Sequence, residues 1–398
     1  MKKRLLFSLA LLSAFAVVAQ TQYGWVEKSM FGGVPRHRCV GLTIGNRGYM
    51  GLGHYNSTGN VAFEDWWEYD PGSDTWAQKA NFPGGPRYHS AGFAIGGYAY
   101  VGTGRDEIGY NYQDFYRYDP VTNTWSAIAN FPGPARRGAV GFAINGKGYV
   151  TTGSYYTDIF EYNPGTNTWT PKATFPGAGR LSAVGFSIGN KGYVTTGDVG
   201  GPSNDMWEFD PVANSWLQRA SLPGLARMEA AGFELMGKGY VGTGDNYSSG
   251  TNYQDFWCFD PASNTWVQVA DFGGAARRYL TTFTIGNRAY AGLGTSGINY
   301  GDLWEFGTMN GVEEKIPAIE ELHTYPNPAQ EEIFVTVPAK ITEGELLLID
   351  HNGRLLRKME NLRGGALRIE REGLAAGIYF LSLRENGATK ANGKIILR

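Results

Sequence analysis

Six arginines, Arg36, Arg87, Arg136, Arg180, Arg227 and Arg277, each stand five residues before a shared column: Gly41, Gly92, Gly141, Gly185, Gly232 and, in the sixth copy, Thr282. A guanidinium is planar, permanently charged and grips an oxyanion through two parallel hydrogen bonds. Six of them side by side would cage a carboxylate, sulfate or phosphate. Six aspartates, Asp65, Asp114, Asp158, Asp205, Asp255 and Asp302, match the arginines one for one. The same count therefore supports an open anion-binding ring at a channel mouth or six ion pairs between neighbouring units. Identical repetition favours the ion pairs, because ligands are rarely sixfold symmetric.

Departures from the repeat are better places to look for a ligand. Two residues after each arginine, on the same face of an extended strand, stand Arg38, His89, Gly138, Ser182, Glu229 and Tyr279. In this set Arg38 suits an anionic group, while Glu229 and His89 suit proton transfer. Three long segments, 54–64, 105–113 and 245–254, carry Tyr55, Tyr110, Tyr112, Tyr247 and Tyr253 among asparagines. Tyrosine gives rigid contact area and asparagine adaptable hydrogen bonding, a composition suited to recognition.

The elements that hold these columns are legible from the period. Asp-x-aromatic-x-aromatic begins at each of the six aspartates, at spacings of 49, 44, 47, 50 and 47, and in the first five copies a tryptophan follows eleven residues later. A period near 50 belongs to β-propeller blades. In "GAVGFAINGKGYVTTG" (138–153) an apolar strand turns through Asn-Gly into a second strand. "DIFEY" gives a third strand, "NPGTN" a turn and "TWTPKA" a fourth. The alternating aromatics put one face of each sheet against its neighbour. Blade connections and the loops between second and third strands share one face, and hairpin turns share the other.

The sixth unit reaches "DLWEF" and stops at Gly307, with Glu313 where its tryptophan is due. The chain opens with the missing piece, "GWVEKSM" led by Trp25. That strand should pair with residues 302–306 and close a six-bladed propeller without exposed edges.

These units resemble kelch repeats: paired glycines ending the second strand, an aromatic third strand and a tryptophan on the fourth. The resemblance covers residues 23 to 307, with Gly-x-Gly where most kelch repeats have adjacent glycines. Kelch propellers include copper-dependent galactose oxidases, which use two histidines and two tyrosines, one cross-linked to cysteine. Only His37, His54 and His89 lie in this propeller, and Cys39 and Cys258 lack the matching context. A six-bladed kelch family of N-acetylneuraminate mutarotases handles an anionic sugar without a metal, and arginine with glutamate and histidine is compatible with it.

After Gly307 the repeat ends. Residues 308–322 read as an acidic linker. Alternating strands separated by Asn-Gly turns then imply a small β-sandwich over residues 323–398. Tyr325-Pro326-Asn327-Pro328, Asp350 to Gly353, Leu374 through Gly377-Ile378-Tyr379 and a last strand bearing Lys394 resemble the type A C-terminal sorting domain of type IX secretion in Bacteroidota. The resemblance implies the secretion machinery as a partner, and cargo carried across the outer membrane.

Lys2, Lys3 and Arg4 followed by an apolar run from Leu5 to Val18 read as a signal peptide over residues 1–19, too short to span a bilayer. Loss of those three cations takes the formal charge from -2 to -5, which steers the chain toward neither nucleic acid nor an anionic membrane. Two cysteines make no disulfide framework and read as isolated thiols. Phosphate loops, metal-spaced His/Cys sets and Gly-x-Ser-x-Gly are absent from the sequence.

The expectation is an all-β, exported, monomeric chain: a six-bladed kelch-type propeller over 20–307 closed by its N-terminal strand, then a C-terminal β-sandwich. It is expected to need no cofactor or metal and to bind an extracellular glycan or protein through the loop-bearing face. The alternatives are a structural surface protein and a cofactor-free sugar mutarotase using Arg38, His89 and Glu229.

Overall fold

In the computed structural model, the described residues are 23–56, 59–247, 250–308, 320–350, 354–385 and 388–398. The expected signal peptide lies outside them. Two compact units divide near residues 309 and 310.

The first unit is built of six four-stranded antiparallel sheets. Blade 1 runs Val40–Ile44, Arg47–Gly51, Trp66–Asp70 and Thr75–Lys79 from axis to rim, and blades 2 to 5 repeat this order. Blade 6 is composite. Thr281–Ile285, Arg288–Gly292 and Leu303–Thr308 are joined on the outside by Tyr23–Lys28, with Trp25 opposite Phe306. The expected N-terminal closure is thus the observed one, and it reaches Thr308, which the sequence pattern had given to the linker.

Packing between blades explains the repeated residues. Val40, Tyr49 and Trp66 of blade 1 share one core with Ala99, Val101 and Tyr118 of blade 2. At the rim each outer-strand tryptophan donates its indole N–H to the preceding blade. Trp125 reaches Ala80 O, Trp169 reaches Ala129 O, Trp216 reaches Ala173 O and Trp266 reaches Ala220 O, at 2.8 to 2.9 Å. The turn asparagines Asn123, Asn167, Asn214 and Asn264 accept from the same four residues' backbone N–H groups. All four adopt positive φ, where asparagine is tolerated better than most residues. Between blades 5 and 6 Trp25 makes the indole bond to Ala270 O at 3.3 Å.

Close approach at the axis sets the glycine column. A Cβ built on Gly141 would lie 2.5 Å from Gly92 O and 3.0 Å from Gly92 N, both backbone. The second glycine of Gly-x-Gly has its own reason. Gly53 has a φ of +105° and donates to Arg87 O of the next blade, and Gly104, Gly153, Gly197, Gly244 and Gly294 donate likewise to the next arginine in turn. The departure from adjacent glycines is therefore an interblade contact.

The second unit stacks a five-stranded sheet on a three-stranded one. Ile333, Val335, Leu346, Leu348, Leu381, Leu383 and Ile395 fill the space between them. Glu320–Glu321 pairs with the last strand and Leu322 is buried, so this end of the expected linker also belongs to a folded sheet.

Candidate functional site

The six repeated arginines are at most 1% exposed, which supports the ion pairs that identical repetition favoured over the open ring. Each closes on the aspartate of its own blade, not on that of a neighbour: Arg36 on Asp65, Arg87 on Asp114, Arg136 on Asp158, Arg180 on Asp205, Arg227 on Asp255 and Arg277 on Asp302. The second bond of each fork, Nη2 to Oδ2, spans 2.6 to 3.1 Å. Nη1 also donates to the backbone carbonyl at the end of the second strand, as from Arg180 to Thr196 O at 2.9 Å. Contact between blades falls instead to the arginine's backbone carbonyl, which accepts from the preceding blade's glycine.

A further column, two residues before each aspartate, covers these arginines. Phe63, Tyr112, Tyr156, Tyr253 and Tyr300 lie over Arg36, Arg87, Arg136, Arg227 and Arg277 at 3.5 to 4.7 Å. In blade 4 this position is Ser203, which bonds Asp205 instead. Tyr112 and Tyr253, read from sequence as ligand contacts, are therefore engaged in packing. Tyr110 and Tyr247 remain largely exposed, and Tyr55 is half-buried.

The irregular column converges. Arg38, His89, Gly138, Ser182, Glu229 and Tyr279 line one cavity of about 120 Å³, with Cys39 and Leu280 beside them. All six have φ between +54° and +62°, a left-handed conformation that is uncommon outside glycine. The backbone explains why it is held: His89 N–H donates to Arg38 O, Gly138 to His89, Ser182 to Gly138, Glu229 to Ser182 and Tyr279 to Glu229. Among the described residues the sixth step, Tyr279 to Arg38, is made by side chains. Arg38 Nη2 donates to the Tyr279 hydroxyl at 2.9 Å and stacks on its ring at 4.2 Å.

Electrostatics distinguish Arg38 from the repeated arginines. Among the described residues no carboxylate pairs with it. Its Nη1 faces His37 Nε2 at 3.0 Å and His54 Nδ1 at 3.3 Å. The Tyr279 hydroxyl donates its own hydrogen bond to Glu229, whose carboxylate also meets Arg278 at 3.1 Å, and Arg278 reaches Asp245 at 2.9 Å. Burial pushes the Glu229 carboxyl up to about 7. Burial, reinforced by Arg38, holds His89 well below the usual imidazole range. Among the described residues, both His89 ring nitrogens, Ser182 Oγ and Arg38 Nε are buried without a hydrogen-bond partner.

Sequence reasoning missed His37, His54, Arg278 and Asp245. A signal was present, because residues 37, 88, 137, 181, 228 and 278 differ in type almost as much as the site column next to them. Those residues meet the position after Gly-x-Gly, as in the bridges His37 to His54 and Met228 to Asp245. Among the described residues no group of three or more His, Cys, Asp or Glu is arranged to hold a metal ion.

Fold and site together define an all-β propeller with an irregular pocket on its axis, and a separate β-sandwich unit. Residues 86–132 match the family described as Kelch motif, and residues 323–398 match Secretion system C-terminal sorting domain. The chain is thus a kelch-repeat propeller with a C-terminal type IX sorting domain, exported to the cell surface or beyond it by that machinery. A solved structure described as "Structure of YjhT" superposes with a TM-score of 0.59 at 20% identity, covering 69% of this chain and 96% of that one. No curated protein matches. Among the described residues no helix is long and apolar enough to cross a membrane.

Proposed function

We propose that the protein binds an acidic sugar, free or at the end of a glycan, in the axial pocket of the loop-bearing face. The observation that carries this reading is Arg38, a pocket guanidinium that among the described residues forms no ion pair with a carboxylate and is set beside polar atoms of His89 and Ser182 that have no partner there. Buried polar groups ordinarily have partners, so a cluster lacking them is poised to receive ligand oxygens. The alternative of six open arginines is set aside, because every one of them is closed by an aspartate.

Thermal unfolding of the full chain with N-acetylneuraminate, glucuronate, a sulfated glycan and neutral oligosaccharides tests the proposal. Ligand at 100 times its dissociation constant adds about 2.7 kcal/mol, enough to raise the midpoint by a few degrees. An acidic sugar should raise it, and Arg38→Ala should abolish the rise. A rise of equal size in Arg38→Ala, or none with any acidic sugar, rejects the reading and favours a protein partner on the loops.

Glu229 favours a second reading. A carboxyl near 7 beside a tyrosine can give and take a proton at neutral pH, as interconversion of sugar anomers requires. Exchange between the anomers of a bound acidic sugar, followed by NMR, should accelerate with the native chain and return to the uncatalysed rate with Glu229→Gln.

A further inference from the structure

The six repeated arginines and Arg38, two residues after the first of them, can be compared within one molecule. Six are buried against aspartate and serve the fold. The seventh, Arg38, is held without a carboxylate, and the groups that hold it specify more than its position.

A guanidinium only donates hydrogen bonds. Arg38 Nη1 faces His37 Nε2 and His54 Nδ1, which lie 3.3 Å from each other, and its two hydrogens serve both nitrogens when each presents a lone pair to Arg38 rather than a proton to the other ring. The remaining ring nitrogens are then the protonated ones. His37 Nδ1 lies 2.8 Å from Asn299 Oδ1 and donates to it, while His54 Nε2 donates to Asn60 Oδ1. The Asn60 amide is oriented independently, since its nitrogen donates to Glu107 O at 2.5 Å. We infer that His37 and His54 are positioning residues that fix the Arg38 guanidinium as neutral imidazoles of opposite tautomers, leaving its positive charge for an anionic ligand. This rests on the reading of Arg38 as the anion-holding group.

An aspartate in either place would hold Arg38 equally well and cancel it, as in the six blade clamps. Two imidazoles orient the guanidinium without forming an ion pair, and the carboxylates Glu229, beyond the Tyr279 hydroxyl, and Asp245, paired with Arg278, act on it only at longer range. Their surroundings agree with neutrality. His37 is 1% exposed and faces Arg38, Arg278, His54 and the Tyr279 ring, and His54 is 4% exposed and faces Arg38, the Tyr88 ring and, at longer range, Glu107. Three of those groups are cations or potential cations. Burial and Arg38 keep both imidazoles below the usual histidine range, His37 down to about 3.

The test begins without a ligand. The full chain has five histidines, so long-range proton–nitrogen spectra of the ¹⁵N-labelled protein resolve each imidazole. His37 should appear as the Nδ1–H form and His54 as the Nε2–H form, both unchanged from pH 7.5 to pH 5. Either ring in the other tautomer, or titrating near 6.5, overturns the inference and leaves the pocket reading standing. The second arm measures glucuronate and methyl glucoside affinity in the native chain, His54→Leu and His54→Gln. Loss of the acceptor in His54→Leu should weaken glucuronate by about tenfold and spare the neutral sugar. His54→Gln, which keeps an acceptor oxygen, should recover most of the loss. Equal weakening of both sugars in His54→Leu contradicts the positioning role. Absence of glucuronate binding by the native chain counts against the pocket reading alone, because the tautomers answer for the histidines.

Discussion

Arg180 and Arg38 show how one residue type takes two roles through its partner. Arg180 is fully buried with Asp205 as its bidentate counter-charge, so Asp205→Asn would leave a cation in the interior. Removing one partner of such a pair typically costs about 3 to 5 kcal/mol. We expect a loss toward the lower end, since Asp205 keeps some solvent contact, read as a fall in the urea midpoint at unchanged slope. The histidines give a pH signature. His37 and His89 stay neutral in the folded protein and burial lowers His54 in the same direction, whereas the unfolded chain protonates all three below about pH 6.5. Stability is therefore lost as pH falls below that value, by up to about 1.4 kcal/mol per unit for each ring. Glu229 opposes this. Its raised value makes its contribution largest in acid and lost as pH rises through about 7. Asp245, also raised by burial, acts in the same sense as Glu229, and the three lowered rings outnumber the two carboxyls, so the thermal midpoint should be lower at pH 5 than at pH 7, and His89→Gln should narrow the difference.

At the scale of the strand, the axis is crowded and the rim is clasped. Gly141 approaches the Gly92 backbone too closely for a side chain, and backbone cannot rotate away. Overpacking of this kind costs about 1 to 3 kcal/mol, so Gly141→Ala should lower the denaturation midpoint without touching the pocket. Thr282 occupies the same column in blade 6 and uses its hydroxyl to bond Gly232 O at 2.8 Å, showing that the last step around the axis accepts a small side chain. The glycine column, the turn asparagines and the rim tryptophans were all legible in sequence, because each repeats at one place in a period set by local strand geometry. The reason for Gly-x-Gly was not, since its second glycine acts on the next blade.

For the whole molecule, closure depends on six residues. Tyr23–Lys28 covers the edge of Leu303–Thr308, and Trp25 packs on Phe233, Phe256, Phe272 and Phe306 at 4.9 to 6.3 Å between centroids. Trp25→Ala should cost about 3 to 5 kcal/mol, as large aromatic truncations do. Removing residues 23–28 should in addition expose an unpaired strand edge. Size-exclusion chromatography is expected to show self-association in that deletion and a single species for the native chain. A monomeric deletion variant of undiminished stability would contradict closure by this strand.

The period, the aromatic alternation and the truncated sixth unit determined the propeller and its closure from sequence alone, because each blade's hydrogen bonding and packing are local and repeat. The sequence also separated the six regular arginines from the irregular column two residues on. Only the tertiary structure decided that the regular arginines are sealed within their own blades, that Tyr112 and Tyr253 pack over two of them, and that the irregular column meets in one pocket. The physical reason is chain separation: Arg38 and Tyr279 touch across 241 residues, and Arg38 draws its two imidazoles from different strand ends. Whether a charge is cancelled or left for a ligand depends on such neighbours, and a closed ring brings them together without leaving a spacing to read.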